Sequence, residues 1–308
     1  MTEPLDIAQR RRLLRLATTA SVITASLLIL AKLVAWLLTG SVSVLASLVD
    51  SLMDAMASLL NLFAVRYSLQ PADAEHRFGH GKAESLAGLG QAAFIAGSAV
   101  FLVLESIDRL LHPQPLSALP IGMAVIVFAM VATVALVAIQ RHVIRRTGST
   151  AVKADSLHYL TDLITNASIL LALFLGAMGW PGLDPWFALG IAVYILSSAW
   201  RIGREAIQLL MDRELPSEMR RRIVELAYAP PEVRGVHDLR TRQAGHVYFV
   251  ELHLELDDDL PLSEAHRIAD RVEDEVRRSI PGSQVMIHQD PVGRVPRQHV
   301  RAEPRPVP

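Results

Sequence analysis

The chain has 308 residues, 51% of them hydrophobic, and a mean hydropathy of +0.32, values that exclude an ordinary soluble enzyme and indicate a membrane protein. Its formal net charge of −1 excludes the basic footprint of a nucleic-acid-binding protein, so no nucleic-acid partner is expected. The absence of cysteine excludes disulfides and thiolate metal sites together and leaves any metal to His, Asp and Glu.

The N-terminal run RRRLLRLATTASVITASLLILAKLVAWLL is too long for a signal-peptide core and lacks a convincing cleavage site, so it reads as a first spanning helix. A spanning helix needs about 20 mostly apolar residues. Six windows fit, at 13–38, 42–67, 84–111, 118–144, 152–178 and 184–210. Between them, the segments at Gly40, HPQP and GWPGLDP are nearly free of Lys and Arg. The other side carries Arg10, Arg11, Arg12 and Arg15, then Arg66, Arg77 and Lys82, then Arg141, Arg145, Arg146 and Lys153, then Arg201 and Arg204. The positive-inside rule then predicts that both termini are cytoplasmic.

From residue 213 the rhythm changes. PSEMRRRIVELAYA predicts an amphipathic helix and VHDLRTRQ a short strand. HVYFVELHLEL alternates, with Tyr248, Val250, Leu252 and Leu254 on one face and Glu251, His253 and Glu255 on the other. Phe249 is an apolar residue on that second face. LSEAHRIADRVEDEVRRS predicts a second helix and SQVMIHQD a last strand. The expected fold is therefore membrane α-helical, with six transmembrane helices over 1–212 and a cytoplasmic α+β domain of order αββαβ over 213–291. The Pro- and Arg-rich tail, 292–308, has the composition of a disordered segment.

The acids inside the apolar windows carry the functional reading. An ionised carboxylate near a bilayer centre costs about 2.5–3.5 kcal/mol even on lenient insertion scales. Asp50 and Asp54 are four residues apart in the second window, and His158 and Asp162 repeat that spacing in the fifth, so each pair shares a helix face. At about 1.5 Å rise per residue, Asp54 lies roughly 18 Å below the outer end of its helix and Asp162 about 15 Å above the inner end of its own. Both reach mid-membrane, where three carboxylates and an imidazole can close the tetrahedral shell that Zn2+ prefers. The plainer reading is polar packing glue paired to Asn61, Thr165 and Asn166, but glue seldom needs three acids without a basic partner in the same helices. Asp155, three residues before His158, is a candidate entrance ligand or a solvated helix start.

Charge arithmetic points to exchange. The empty site would carry three negative charges, and either one Zn2+ or two protons would reduce that to one. Metal and protons can thus replace one another, with His158 the residue most suited to titrate. A proton-coupled exporter of organic cations would want aromatic walls, whereas Ser47, Ser51, Ala55, Ser58 and Thr161 suit a small ion. No HExxH, GxGD pair or placed Ser–His nucleophile supports an intramembrane enzyme, and none is expected. A metal sensor with a membrane anchor would not need four ligand-type residues within its anchoring helices.

DSLMD, ADSLHYLTD, the loop QPADAEHRFGHGKAES, HDLRTRQ and MIHQDP resemble the cation diffusion facilitator family, over nearly the whole chain to about residue 297. The resemblance implies a homodimeric six-helix transporter of the bacterial cytoplasmic (inner) membrane whose cytoplasmic domain is metallochaperone-like. By it, cytosolic divalent metal leaves in exchange for protons by alternating access. Its transport site would be Asp50, Asp54, His158 and Asp162, the residues chosen above. A loop site would use Asp73, His76 and His80, although Arg77 places a cation among these ligands and should weaken them. A binuclear, regulatory site in the cytoplasmic domain would use His237, His253, His266, His288 and Asp290. Lys82 and Asp212 would form a charge interlock, and Leu157 a hydrophobic gate. The donor set suits Zn2+ and also accepts Fe2+, Cd2+, Co2+ or Mn2+.

Overall fold

Apolar stretches that contain few charges satisfy their backbone hydrogen bonds within themselves, and among the described residues the first two-thirds of the chain does so as six long helices. These are α1 (Ile7–Thr39), α2 (Val42–Ser68), α3 (Lys82–Leu111), α4 (Pro120–Thr147), α5 (Thr150–Ala177) and α6 (Asp184–Leu210) in the computed structural model of the chain. The structure describes residues 7–40, 42–111, 120–178 and 184–292, so the expected disorder of 293–308 lies outside the described residues. Two units are present, Met1–Ile207 and Gln208–Pro308.

In the first unit the helices match the six expected windows within a few residues, except that α1 begins earlier and carries Arg10–Arg15 on its opening turns. Among the described residues, five helices are long and apolar enough to cross a membrane, and α5 is not among those five. It is the helix that bears Asp155, His158 and Asp162. α1 stops where Gly40, at φ +61°, donates its N–H to the Trp36 carbonyl at 2.8 Å, a left-handed cap that a side chain would strain.

Small residues let the helices approach closely. Ala92, Ala99, Ala154 and Ala199 are buried with Ile95, Leu157, Ile195 and Ile202 between α3, α5 and α6. A second cluster, Leu14, Ala17, Val65, Val143 and Ala151, ties α1 to α2, α4 and α5. Large apolar side chains such as Leu30, Leu38, Phe101, Val131, Val193 and Trp200 point outward, as a lipid-facing surface requires.

The second unit contains α7 (Ser217–Ala227), β1 (Gly235–Ala244), β2 (Val247–Leu256), α8 (Leu262–Ser279) and β3 (Ser283–Pro291), the expected αββαβ order. The sheet order is β1-β2-β3, with β1 antiparallel and β3 parallel to β2, so α8 is the crossover between β2 and β3. Val250, Leu252, Leu254 and Leu256 pack against Ile223, Ile268, Val272 and Val276 of the two helices, which confirms the apolar face read from the alternation. Phe249 on the opposite face is also buried and lies 4.2 Å beneath the Arg242 guanidinium. β1 is longer than VHDLRTRQ and bulges between His237 and Arg240, with Asp238 at φ +49°.

Candidate metal centres

The helical i, i+4 spacing places His158 and Asp162 on one face of α5 and aims them at Asp54 of α2. His158 Nε2 lies 3.0 Å from Asp54 Oδ1 and 3.9 Å from Asp162 Oδ2. One donor atom from each residue falls within 4.8 Å of the others, close enough for a single cation to span them. His158 is only 5% exposed and is flanked by the rings of Phe94 and Tyr159. Asp50 does not join this cluster. It lies one turn away on α2 and is exposed, within the fields of both the Asp54 carboxylate and the Lys32 ammonium from α1. That basic neighbour was missed in the reading of α2 and α5 alone; its sequence signal is a lysine inside the apolar run LLILAKLVAWLL.

Asp155 is not a solvated helix start. It is 1% exposed and accepts hydrogen bonds from Ser21 Oγ at 2.6 Å and Gln140 Nε2 at 2.7 Å, with Ser58 Oγ at 3.5 Å. Gln140 also reaches Ser21 at 3.0 Å, and Ser58 meets the Tyr159 hydroxyl at 2.9 Å. The result is a buried polar network joining α1, α2, α4 and α5. Nothing in the local sequence announces it, because Ser21 is 134 residues from Asp155.

The loop ligands do converge. Asp73 Oδ2 lies 3.2 Å from His80 Nε2, Asp73 Oδ1 lies 3.6 Å from His76 Nδ1, and the two imidazoles are 4.6 Å apart. The Asp73 carboxylate is preset by the backbone N–H groups of His76 and Glu75, at 2.6 and 3.0 Å. The His76 hydrogen bond foremost holds it below the usual carboxylate range. His80 is buried and Tyr67 packs edge-on against it, while Arg77 is exposed.

In the second unit, strand register lines up three histidines. His237 of β1 pairs with His253 of β2, which pairs with His288 of β3, and the successive rings are 5.0 and 4.7 Å apart. Asp290, two residues beyond His288 on the same face, joins them. Its Oδ2 lies 3.1 Å from His237 Nε2 and 2.8 Å from His253 Nδ1, and its Oδ1 lies 3.2 Å from His288 Nε2. Burial works against the ionised form, yet the His253 hydrogen bond and the neighbouring imidazoles keep Asp290 below the ordinary carboxylate range. Glu255, unassigned in the sequence reading, places Oε1 3.3 Å from His237 Nδ1, as its position on the His253 face allows. His266 stands apart: it is exposed on α8 beside Asp270. Lys82 opens α3, and Asp212 meets Arg242 at 3.7 Å within the second unit. Leu157 is packed in the α3–α5–α6 cluster.

Residues 18–211 match the cation efflux transmembrane domain, and residues 215–292 match the cytoplasmic domain of cation efflux proteins. The cation-efflux pump FieF of Klebsiella pneumoniae (strain ATCC 700721 / MGH 78578) is 56% identical over 285 residues, which cover 92% of this chain and 95% of that protein. FieF of Escherichia coli (strain K12 / DH10B) is 54% identical over 291 residues, 94% of this chain and 97% of that one. Among solved structures, the Zn form of CzrB is 39% identical over 28% of this chain and 99% of its own, with a TM-score of 0.26. The metal-bound C-terminal domain of the CzcD transporter from Thermotoga maritima is 28% identical over 26% of this chain and 93% of its own, with a TM-score of 0.25. With both domain types matched in order along the chain and more than half of the residues shared with full-length efflux pumps, this chain belongs to the cation diffusion facilitator family of cation efflux transporters.

Proposed function

We propose that this transporter carries Zn2+, and with looser preference Fe2+, Cd2+, Co2+ or Mn2+, out of the cytoplasm in exchange for protons, as a homodimer in the bacterial inner membrane. The observation that carries the reading is the Asp54–His158–Asp162 cluster, held at 3.0 and 3.9 Å between two helices of an apolar bundle. Two carboxylates and an imidazole offer oxygen and nitrogen donors of the hardness that divalent first-row metals accept. Asp50, one turn away on α2, would complete a tetrahedral shell when its side chain turns toward the ion. Binding a metal requires these groups to lose their protons, so metal uptake and proton release are linked. Both termini and the second unit would face the cytoplasm, on the side marked by the basic loops.

The His237–His253–His288–Asp290 row would hold regulatory metal. Asp290 offers one carboxylate oxygen to His237 and His253 and the other to His288, the arrangement of a bridging ligand between two ions. The test of transport is Zn2+ flux into proteoliposomes under an imposed pH gradient, with Fe2+, Cd2+ and Mn2+ as competitors. Gradient-driven flux is expected, and Asp54→Ala should abolish it. A wild-type protein that binds metal but carries none would overturn the reading.

A further inference from the structure

Lys32 is the one charged residue on α1 beyond its basic opening turns, and the transport reading above gives it no task. Its Nζ donates to the Ser51 hydroxyl at 2.6 Å and to the Ser47 carbonyl at 3.1 Å. Ser47 and Ser51 are i and i+4 on α2, and Asp50 lies between them. The ammonium is therefore fixed to the turn that carries Asp50, one turn from Asp54. Its field reaches Asp50 and, across the bundle, Asp162. An ammonium at this depth in an apolar bundle is costly to keep, and uncharged donors could staple two helices as well.

Resting on the assignment of Asp50, Asp54, His158 and Asp162 as the transport site, we propose that Lys32 is a positioning residue whose fixed charge weakens divalent-cation binding there and so permits release. Three carboxylates and an imidazole in a low-dielectric bundle would hold a divalent ion tightly, and a carrier must also let it go. A like charge held one helical turn away raises the energy of the bound ion without altering the donors that select it. Its hydrogen bonds keep it in place: tethered to Ser47 and Ser51, the ammonium stays beside the cation seat rather than filling it.

The test uses the full-length protein in proteoliposomes, with Zn2+ flux followed in mildly alkaline solution where protons compete least. Lys32→Gln keeps a donor for the serines and removes the charge, Lys32→Met removes both, and Lys32→Arg keeps the charge. Both neutral variants should lower the half-saturating Zn2+ concentration on the order of tenfold, as loss of one nearby unit charge predicts. Their maximal flux should fall together with it, while Lys32→Arg stays near wild type in both constants. Two neutral variants are made so that a folding defect in one leaves the other to be measured. Neutral variants with wild-type constants, or an arginine variant as altered as they are, would overturn the proposal and leave a packing role. Wild-type and Asp54→Ala proteins run alongside: absence of Asp54-dependent flux would defeat the transport reading itself, a separate outcome.

Discussion

Asp54 and Asp155 are both acids in apolar helices, yet their surroundings differ in kind. Asp54 faces an imidazole and a second carboxylate, partners that a cation or protons can bridge. Asp155 accepts hydrogen bonds from neutral donors, Ser21 and Gln140, in a buried network. We therefore expect Asp155→Ala to destabilise the helix bundle by about 2–4 kcal/mol, since it strands buried donors. Thermal unfolding in detergent would show it as a lowered midpoint, with Asp155→Asn retaining more of the stability. A midpoint unchanged by the alanine would mean that the network contributes nothing. By contrast, His158→Ala should eliminate Zn2+ flux, whereas Asp155→Asn should retain it.

Strand register, rather than any single histidine, builds the centre of the second unit. His237, His253 and His288 are neighbours because β1, β2 and β3 pair at those positions, and the bulge after His237 shifts the register that follows. Chelation of metal should lower the unfolding midpoint of the wild-type protein, and His253→Ala should remove most of that difference, because binding to the folded form alone adds stability. Asp290 adds a pH dependence. Its lowered carboxyl pKa means that the unfolded chain takes up this proton first as the solution is acidified. The stabilisation is whole above the ordinary aspartate value, near ~3.9, and is lost as pH falls through the lowered folded value. Unfolding of metal-free protein across acid pH should show a shallower decline in Asp290→Asn than in wild type; equal slopes would refute this contribution.

For the molecule as a whole, orientation and coupling are linked. The chain lacks cysteine, so Thr39→Cys and Arg77→Cys can be introduced singly and labelled with an impermeant maleimide. Labelling from opposite faces of the membrane is expected, with Arg77→Cys on the cytoplasmic side; labelling from the same face would reject the topology. The helix windows, the αββαβ order and the i, i+4 spacing of Asp50 with Asp54 on α2 and of His158 with Asp162 on α5 were all legible in the sequence, because hydropathy and i, i+4 or i, i+2 spacing are local properties. What they could not supply was distance across the fold. Packing alone brought Asp54 to His158, left Asp50 and His266 outside their clusters, and buried Asp155 among residues from three other helices. Packing also set Lys32 against Ser51 and joined Glu255 to His237. Periodicity determines which face of an element a side chain occupies; only tertiary contact between distant segments decides what that face meets.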